Sequence, residues 1–215
     1  MTRDTIIARL KTIDERMSKE EILSEIERII DKNTANGREV RVALCVGHNK
    51  KFQGAVGANG VSEWVFNKKV AGAVAQNLAS DNIKVRVFYR QPIRSYSTQM
   101  RELHKELAEW GADIAVELHF NAVENESVNG HEVLYCSTQG SVLAKCINDA
   151  FEAHEISSPD RGIVERKTGD GAGFLCRGKA VCVIGEPFFA PHIAEVSQKQ
   201  LAVAYADGIR DYIKK

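Results

Sequence analysis

The sequence predicts an α/β domain, a mainly parallel twisted sheet with helices on both faces, preceded by a helical N-terminal appendage. Three observations predict it. Short runs rich in Val and Ile recur along the chain, segments with apolar residues at helical spacing separate them, and 215 residues at 44% apolar are enough to bury one sizeable core. Strands that alternate with helices pair in parallel and are covered on both faces.

The elements follow in order. Ile6, Ile7, Leu10, Ile13 and Met17 recur at helical spacing, and Ser18-Lys19-Glu20-Glu21 is a capping box that opens a second helix carrying Ile22, Leu23, Ile26, Ile29 and Ile30. Residues 1–37 are therefore expected to form a helical appendage whose apolar stripe packs on the domain of residues 38–215, mediates self-association or docks a partner, the first being favoured because short isolated helices are marginal in water. Asn33-Thr34-Ala35-Asn36-Gly37 is a turn-rich joint. Strands are expected at Val40 to Val46, Ile83 to Tyr89, Ile114 to His119, Glu132 to Cys136 and Ala180 to Gly185. Helices are expected at about Glu63 to Leu78, Arg94 to Trp110, Ser141 to Ala153 and Ile193 to Ile213.

Composition excludes several function classes. Basic and acidic residues number 29 each, so the chain lacks the basic excess of a nucleic-acid binder and any polybasic patch for anionic lipid. The N-terminus, MTRDTIIARLKTIDERM, interrupts its apolar residues with charge, unlike a secretory signal, and no segment is long and apolar enough for membrane insertion. Synthesis in the cytoplasm without a signal peptide is expected. Cys45, Cys136, Cys146, Cys176 and Cys182 are odd in number and never form C-x-x-C, so they are read as free core thiols in a reducing compartment.

Four separated residues carry the candidate chemistry: His48, Glu63, His119 and Glu186. Two imidazoles and a carboxylate can hold a catalytic zinc with one position open, and a second carboxylate can handle the proton. Positions 48, 119 and 186 fall where three predicted strands end, the edge at which reactive groups of such sheets gather. Taken alone, His48 is an ordinary loop histidine and Glu63 an acid favoured by a helix N-terminus. His119 and Glu186 are harder to dismiss, since an imidazole ending an apolar strand and a carboxylate among aromatics each need a partner.

These residues carry a family resemblance over roughly residues 40 to 213. Gly47-His48, Gly54-Ala55-Val56-Gly57 and Asn59-Gly60-Val61-Ser62-Glu63 resemble the N-terminal part of the zinc-dependent N-acetylmuramoyl-L-alanine amidases. Leu118-His119-Phe120-Asn121-Ala122 resembles that family's second histidine motif, Gly130-His131-Glu132-Val133 its following strand, and Arg161-Gly162 with Val183-Ile184-Gly185-Glu186-Pro187-Phe188-Phe189 its closing segment. The resemblance implies one Zn²⁺ per chain on His48, Glu63 and His119, with Glu186 as general base and acid. The implied substrate is peptidoglycan, cut between N-acetylmuramic acid and L-alanine. It also implies action on the cell wall after release by a non-signal route, as for a phage or prophage lysis enzyme.

The chain departs from the family pattern in places. Cys45-Val46 stands where Asp-Pro usually precedes Gly-His, and Glu117 where serine is common. Glu117 lies two residues before His119 on a strand and shares its face. It is read as a hydrogen-bond partner behind an imidazole, as an additional carboxylate of the site, or as half of an ion pair with a nearby base. Asn121 is a further candidate for support or substrate binding, and Arg161 and Arg177 could pair with stem-peptide carboxylates. The glycine-rich Thr168-Gly169-Asp170-Gly171-Ala172-Gly173 could cradle a substrate or act as a flap. A wall-binding module that does not hydrolyse, or a zinc hydrolase of another amide, are the alternative readings.

Overall fold

The computed structural model describes residues 39–80, 82–93 and 95–215; the expected N-terminal helices lie outside the described residues. From Val40 to Lys215 the chain is one compact unit. Its strands are β1 (Val40–Val46), β2 (Ile83–Tyr89), β3 (Ile114–Leu118), β4 (His131–Tyr135), β5 (Asp160–Glu165) and β6 (Val181–Glu186). They form one sheet in the order β2-β1-β3-β6-β4-β5. Every pairing is parallel except β4 with β6, so the expected mainly parallel sheet is present with one reversal.

The helices are α1 (Glu63–Leu78), α2 (Tyr96–Trp110), α3 (Thr138–Ala153), the short α4 (Ala172–Leu175) and α5 (Gln198–Ile213). Serines set the starts of the four long ones. Ser62, Ser95, Ser137 and Ser197 each accept a hydrogen bond from the backbone N–H three residues on, satisfying a donor that the first turn leaves without a partner. This corrects three expected boundaries: α2 begins at Tyr96 rather than near Arg94, α3 at Thr138 rather than Ser141, and α5 at Gln198. The stretch Ala190–Glu195 that the sequence assigned partly to the last helix is a separate 3-10 turn.

Strand alternation sorts the core into two layers. Val42, Leu44, Val46, Ile114, Val116, Leu118, Val133 and Val183 face one way, onto α1, α3 and α5 through Phe66, Val70, Val74, Leu143, Ile147, Leu201 and Tyr205. Ala43, Cys45, Ala115, Cys182 and Ile184 face the other way, onto α2 and α4 through Met100, Leu103, Leu107 and Phe174. Glu117 and Arg90, both buried, continue this second face toward the carboxyl ends of β3 and β2.

Two expectations are corrected. The edge strand β5 escaped the sequence because its residues are exposed or half-buried and lack an apolar run. The cysteines are not all free: Cys136 and Cys176 form a disulfide across 40 residues, while Cys45, Cys146 and Cys182 are free and buried. The pairing was invisible because the two cysteines lie 40 residues apart in sequence, with no spacing motif to link them. Among the described residues no helix is long and apolar enough to cross a membrane.

Candidate metal centre

The site is built at the carboxyl ends of β1, β3 and β6. Past β1, the Gly47 N–H donates to Leu118 O at 3.0 Å, and His48 adopts φ 62°, a left-handed conformation uncommon for a non-glycine residue. Arg90, the first residue after β2, donates from Nε to the His48 carbonyl at 2.9 Å and holds that turn. Gly54, at φ 77°, carries the following loop across the imidazole; a Cβ there would lie 2.5 Å from Glu63 Oε2 and 2.6 Å from His48 Nε2. Only glycine combines that backbone conformation with that approach.

Glu63 opens α1, where the helix N-terminus favours a carboxylate, and is 3% exposed. Its Oε1 lies 2.7 Å from His119 Nδ1 and its Oε2 lies 3.0 Å from His48 Nε2. Backbone N–H groups of Phe120 and Ala55 each donate to it at 3.2 Å. Burial alone would raise its pKa, but hydrogen bonds from His119 and His48 outweigh burial and hold it down to about 2. Glu63 is thus a carboxylate at any working pH.

His119 follows β3, its N–H donating to Gly185 O of the neighbouring β6 at 3.1 Å. Its two ring nitrogens face different carboxylates: Nδ1 faces Glu63, and Nε2 lies 3.4 Å from Glu117 Oε2. Burial disfavours its charge, yet Glu117 and then Glu63 raise its pKa well above the usual imidazole value.

Donor atoms of His48, Glu63 and His119 lie within 4.8 Å of one another, a group able to hold a metal ion. The charge balance fits a cation. Glu63 and Glu117, both held ionised, gather negative charge with Arg90 as the nearby guanidinium, and two imidazole nitrogens with one carboxylate oxygen suit a borderline-soft dication.

Glu186 ends β6 and reaches the same cleft. Its Oε2 is shut off from solvent and has no hydrogen-bond partner. Burial, reinforced by Glu63, Glu132 and Glu117 and opposed by His119, pushes its pKa up to about 8. The reversal between β4 and β6 sets Glu132 opposite Glu186 at this edge. The cleft has a volume of about 670 Å³ and includes His48, Glu63, His119, Glu117 and Glu186 in its lining.

The structure places the remaining candidates unequally. Asn121 lines the cleft and donates to Glu132 Oε1 at 2.9 Å. Arg161 is turned away: its Nε donates to Glu132 Oε2 at 3.2 Å and its guanidinium lies over the Phe189 ring, outside the cleft lining. Arg177 is exposed and also outside that lining. The glycine-rich Thr168 to Gly171 does line the cleft. The basic residues there are Arg90 and Arg166, which the sequence reading missed, although the strand-end rule that selected His48 and His119 applies equally to Arg90.

The chain belongs to the N-acetylmuramoyl-L-alanine amidase family, whose model matches residues 42–211. It is similar in structure to the N-acetylmuramoyl-L-alanine amidase AmiC2 of Nostoc punctiforme, with a TM-score of 0.69, 22% identity, and coverage of 82% of this chain and 98% of that one. An N-acetylmuramoyl-L-alanine amidase from Clostridium difficile 630 superposes with a TM-score of 0.70 at 23% identity, covering 83% and 98%. The catalytic domain of the CD27L endolysin targeting Clostridia difficile matches with a TM-score of 0.69 at 24% identity, covering 80% and 98%. No curated protein sequence is significantly similar to this chain.

Proposed function

We propose that this chain hydrolyses the amide bond between N-acetylmuramic acid and L-alanine in peptidoglycan, with one zinc ion held by His48, Glu63 and His119 and with Glu186 as general base and acid. The observation that carries the reading is the convergence of three donor groups from β1, α1 and β3 within 4.8 Å, beside a cleft that Glu186 enters. When bound, zinc supplies Lewis acidity to the scissile carbonyl and to the attacking water.

The protein groups do the rest. Glu63 stays ionised and, with His48 and His119, completes a neutral-nitrogen and carboxylate set. Glu186 takes a proton from the attacking water and returns it to the amide nitrogen, which leaves poorly until protonated. Burial lifts its proton affinity and a bound cation would lower it again, toward the neutral range in which one carboxyl can do both. Glu132, fixed by Asn121 and Arg161, adds negative charge opposite Glu186 and helps keep that affinity high.

The test is mass spectrometry of fragments released from purified peptidoglycan, with and without a zinc chelator and with Glu186→Gln. Chelator-sensitive release of stem peptides beginning with L-alanine, from glycan strands left uncut, supports the reading. Zinc-loaded protein that releases nothing, or cuts elsewhere, refutes it. By the same reading the chain is a wall-lytic enzyme that meets the cell wall once the cell membrane is breached. Fractionation of expressing cells before and after membrane disruption tests this, and peptidoglycan cleavage preceding disruption sinks it.

A further inference from the structure

We propose that Glu117, anchored by Arg90, is a positioning residue that fixes the His119 ring for metal binding through Nδ1, and that the Arg90–Glu117 pair couples the two histidines of the site. This rests on the metal-centre reading above. The two imidazole nitrogens of His119 are already divided between carboxylates, Nδ1 at 2.7 Å from Glu63 and Nε2 at 3.4 Å from Glu117. A neutral imidazole that offers Nδ1 to a cation must carry its proton on Nε2, and an acceptor there selects both tautomer and ring orientation.

Glu117 is poorly explained as a counter-ion alone. It is 1% exposed, and its Oε1 sits 3.6 Å from Arg90 Nε without a hydrogen bond. The Arg90 Nε–H goes instead to the His48 carbonyl at 2.9 Å. One guanidinium therefore touches the backbone of one histidine and the carboxylate behind the other. Strand register gives the reason for the location. Glu117 of β3 is the partner of Cys45 of β1, and Cys45 is a buried thiol with little power as an acceptor. On that shared face, beneath the two imidazoles, β3 thus supplies the carboxylate that β1 lacks.

Two variants separate positioning from simple charge balance. Glu117→Asp keeps a negative charge for Arg90 but withdraws the carboxylate by one methylene from Nε2; Glu117→Gln keeps the reach and loses the charge. Affinity for Zn²⁺ and Co²⁺ is measured by competition with a chromophoric chelator, and the His119 ring resonances by nitrogen-15 NMR of the metal-free protein. Positioning predicts that both variants bind either cation roughly 10- to 100-fold more weakly, and that the Nε2–H resonance shifts in both. It also predicts a lower kcat at saturating zinc with KM little changed. If Glu117→Asp matches the parent in affinity and resonance, Glu117 is only the partner of Arg90 and the proposal falls. If the parent itself binds neither cation, the metal-centre reading falls first and takes this one with it. Should Glu117→Gln not fold, Glu117→Asp carries the decision alone.

Discussion

Replacing Glu186 with glutamine should cut turnover steeply and, in metal-free protein, raise stability. The carboxyl titrates near 4.5 when unfolded and is pushed up to about 8 by burial when folded. Because the folded value is the higher one, burial costs nothing below pH 4.5, costs progressively more between pH 4.5 and 8, and costs a constant amount above. At pH 7, about 1.4 kcal/mol per unit gives roughly 3 kcal/mol, and screening by cleft water reduces this to about 2 kcal/mol. Glutamine carries no such penalty. For a domain of this size, the variant should melt about 4–8 °C above the parent at pH 7, and the two should converge at pH 4. Thermal melts in chelator across pH 4 to 9 provide the assay. A gap that does not grow with pH, or a variant less stable than the parent at pH 7, would refute the burial argument. With zinc restored, the variant should retain the ion while hydrolysis drops by roughly 10²- to 10⁴-fold.

Other expectations follow from the same geometry. Since neighbouring carboxylates raise the His119 pKa, metal-free protein should carry that proton at pH 7 and release at least one proton per ion bound; calorimetry in buffers of different ionisation enthalpy measures it, and zero release would contradict the assignment. Gly54→Ala places a methyl 2.5 Å from Glu63 Oε2 at a positive φ, so ion affinity should fall at least tenfold while the far helices keep their hydrogen-exchange protection. Breaking the disulfide with Cys136→Ser and Cys176→Ser should cost about 3–4 kcal/mol in denaturant melts. Tyr205 buries a hydroxyl without a partner, so Tyr205→Phe should be neutral or stabilise by about 1 kcal/mol; a loss above that would reveal a bond to buried water.

Much of this was legible in the sequence for simple physical reasons. Strands covered on both faces, such as Val40–Val46 and Ile114–Leu118, are apolar at nearly every position, Arg41 and Glu117 being the exceptions, and their ends present whatever projects from the sheet edge. That is why His48 and His119 could be paired across 70 residues of sequence. The edge strand β5 left no such trace, because an edge strand with a solvated face needs no apolar run. The charged neighbours of His104 in sequence give no sign that its face of α2 is buried, where its Nε2 meets Phe174 O at 2.9 Å. Glu132, Arg161 and Asn121 form one hydrogen-bonded set only because β4 runs against β6, and pairing direction is not written in composition.

The Cys136–Cys176 bridge has a consequence for how the cleft meets its polymer. The chain leaves β5 with the Arg166 N–H bound to Tyr135 O at 2.7 Å, passes along the cleft through Thr168–Gly171, and returns at Cys176, whose sulfur lies 3.3 Å from Arg166 O. Residues 136, 166 and 176 therefore close the neck of a small loop whose crown is one wall of the cleft. A cross-linked glycan mesh is a large, stiff ligand that cannot mould itself around a wandering loop. With its neck tied during oxidation, the loop has surrendered most of its conformational freedom before any substrate arrives, and the ordering term in binding is correspondingly small.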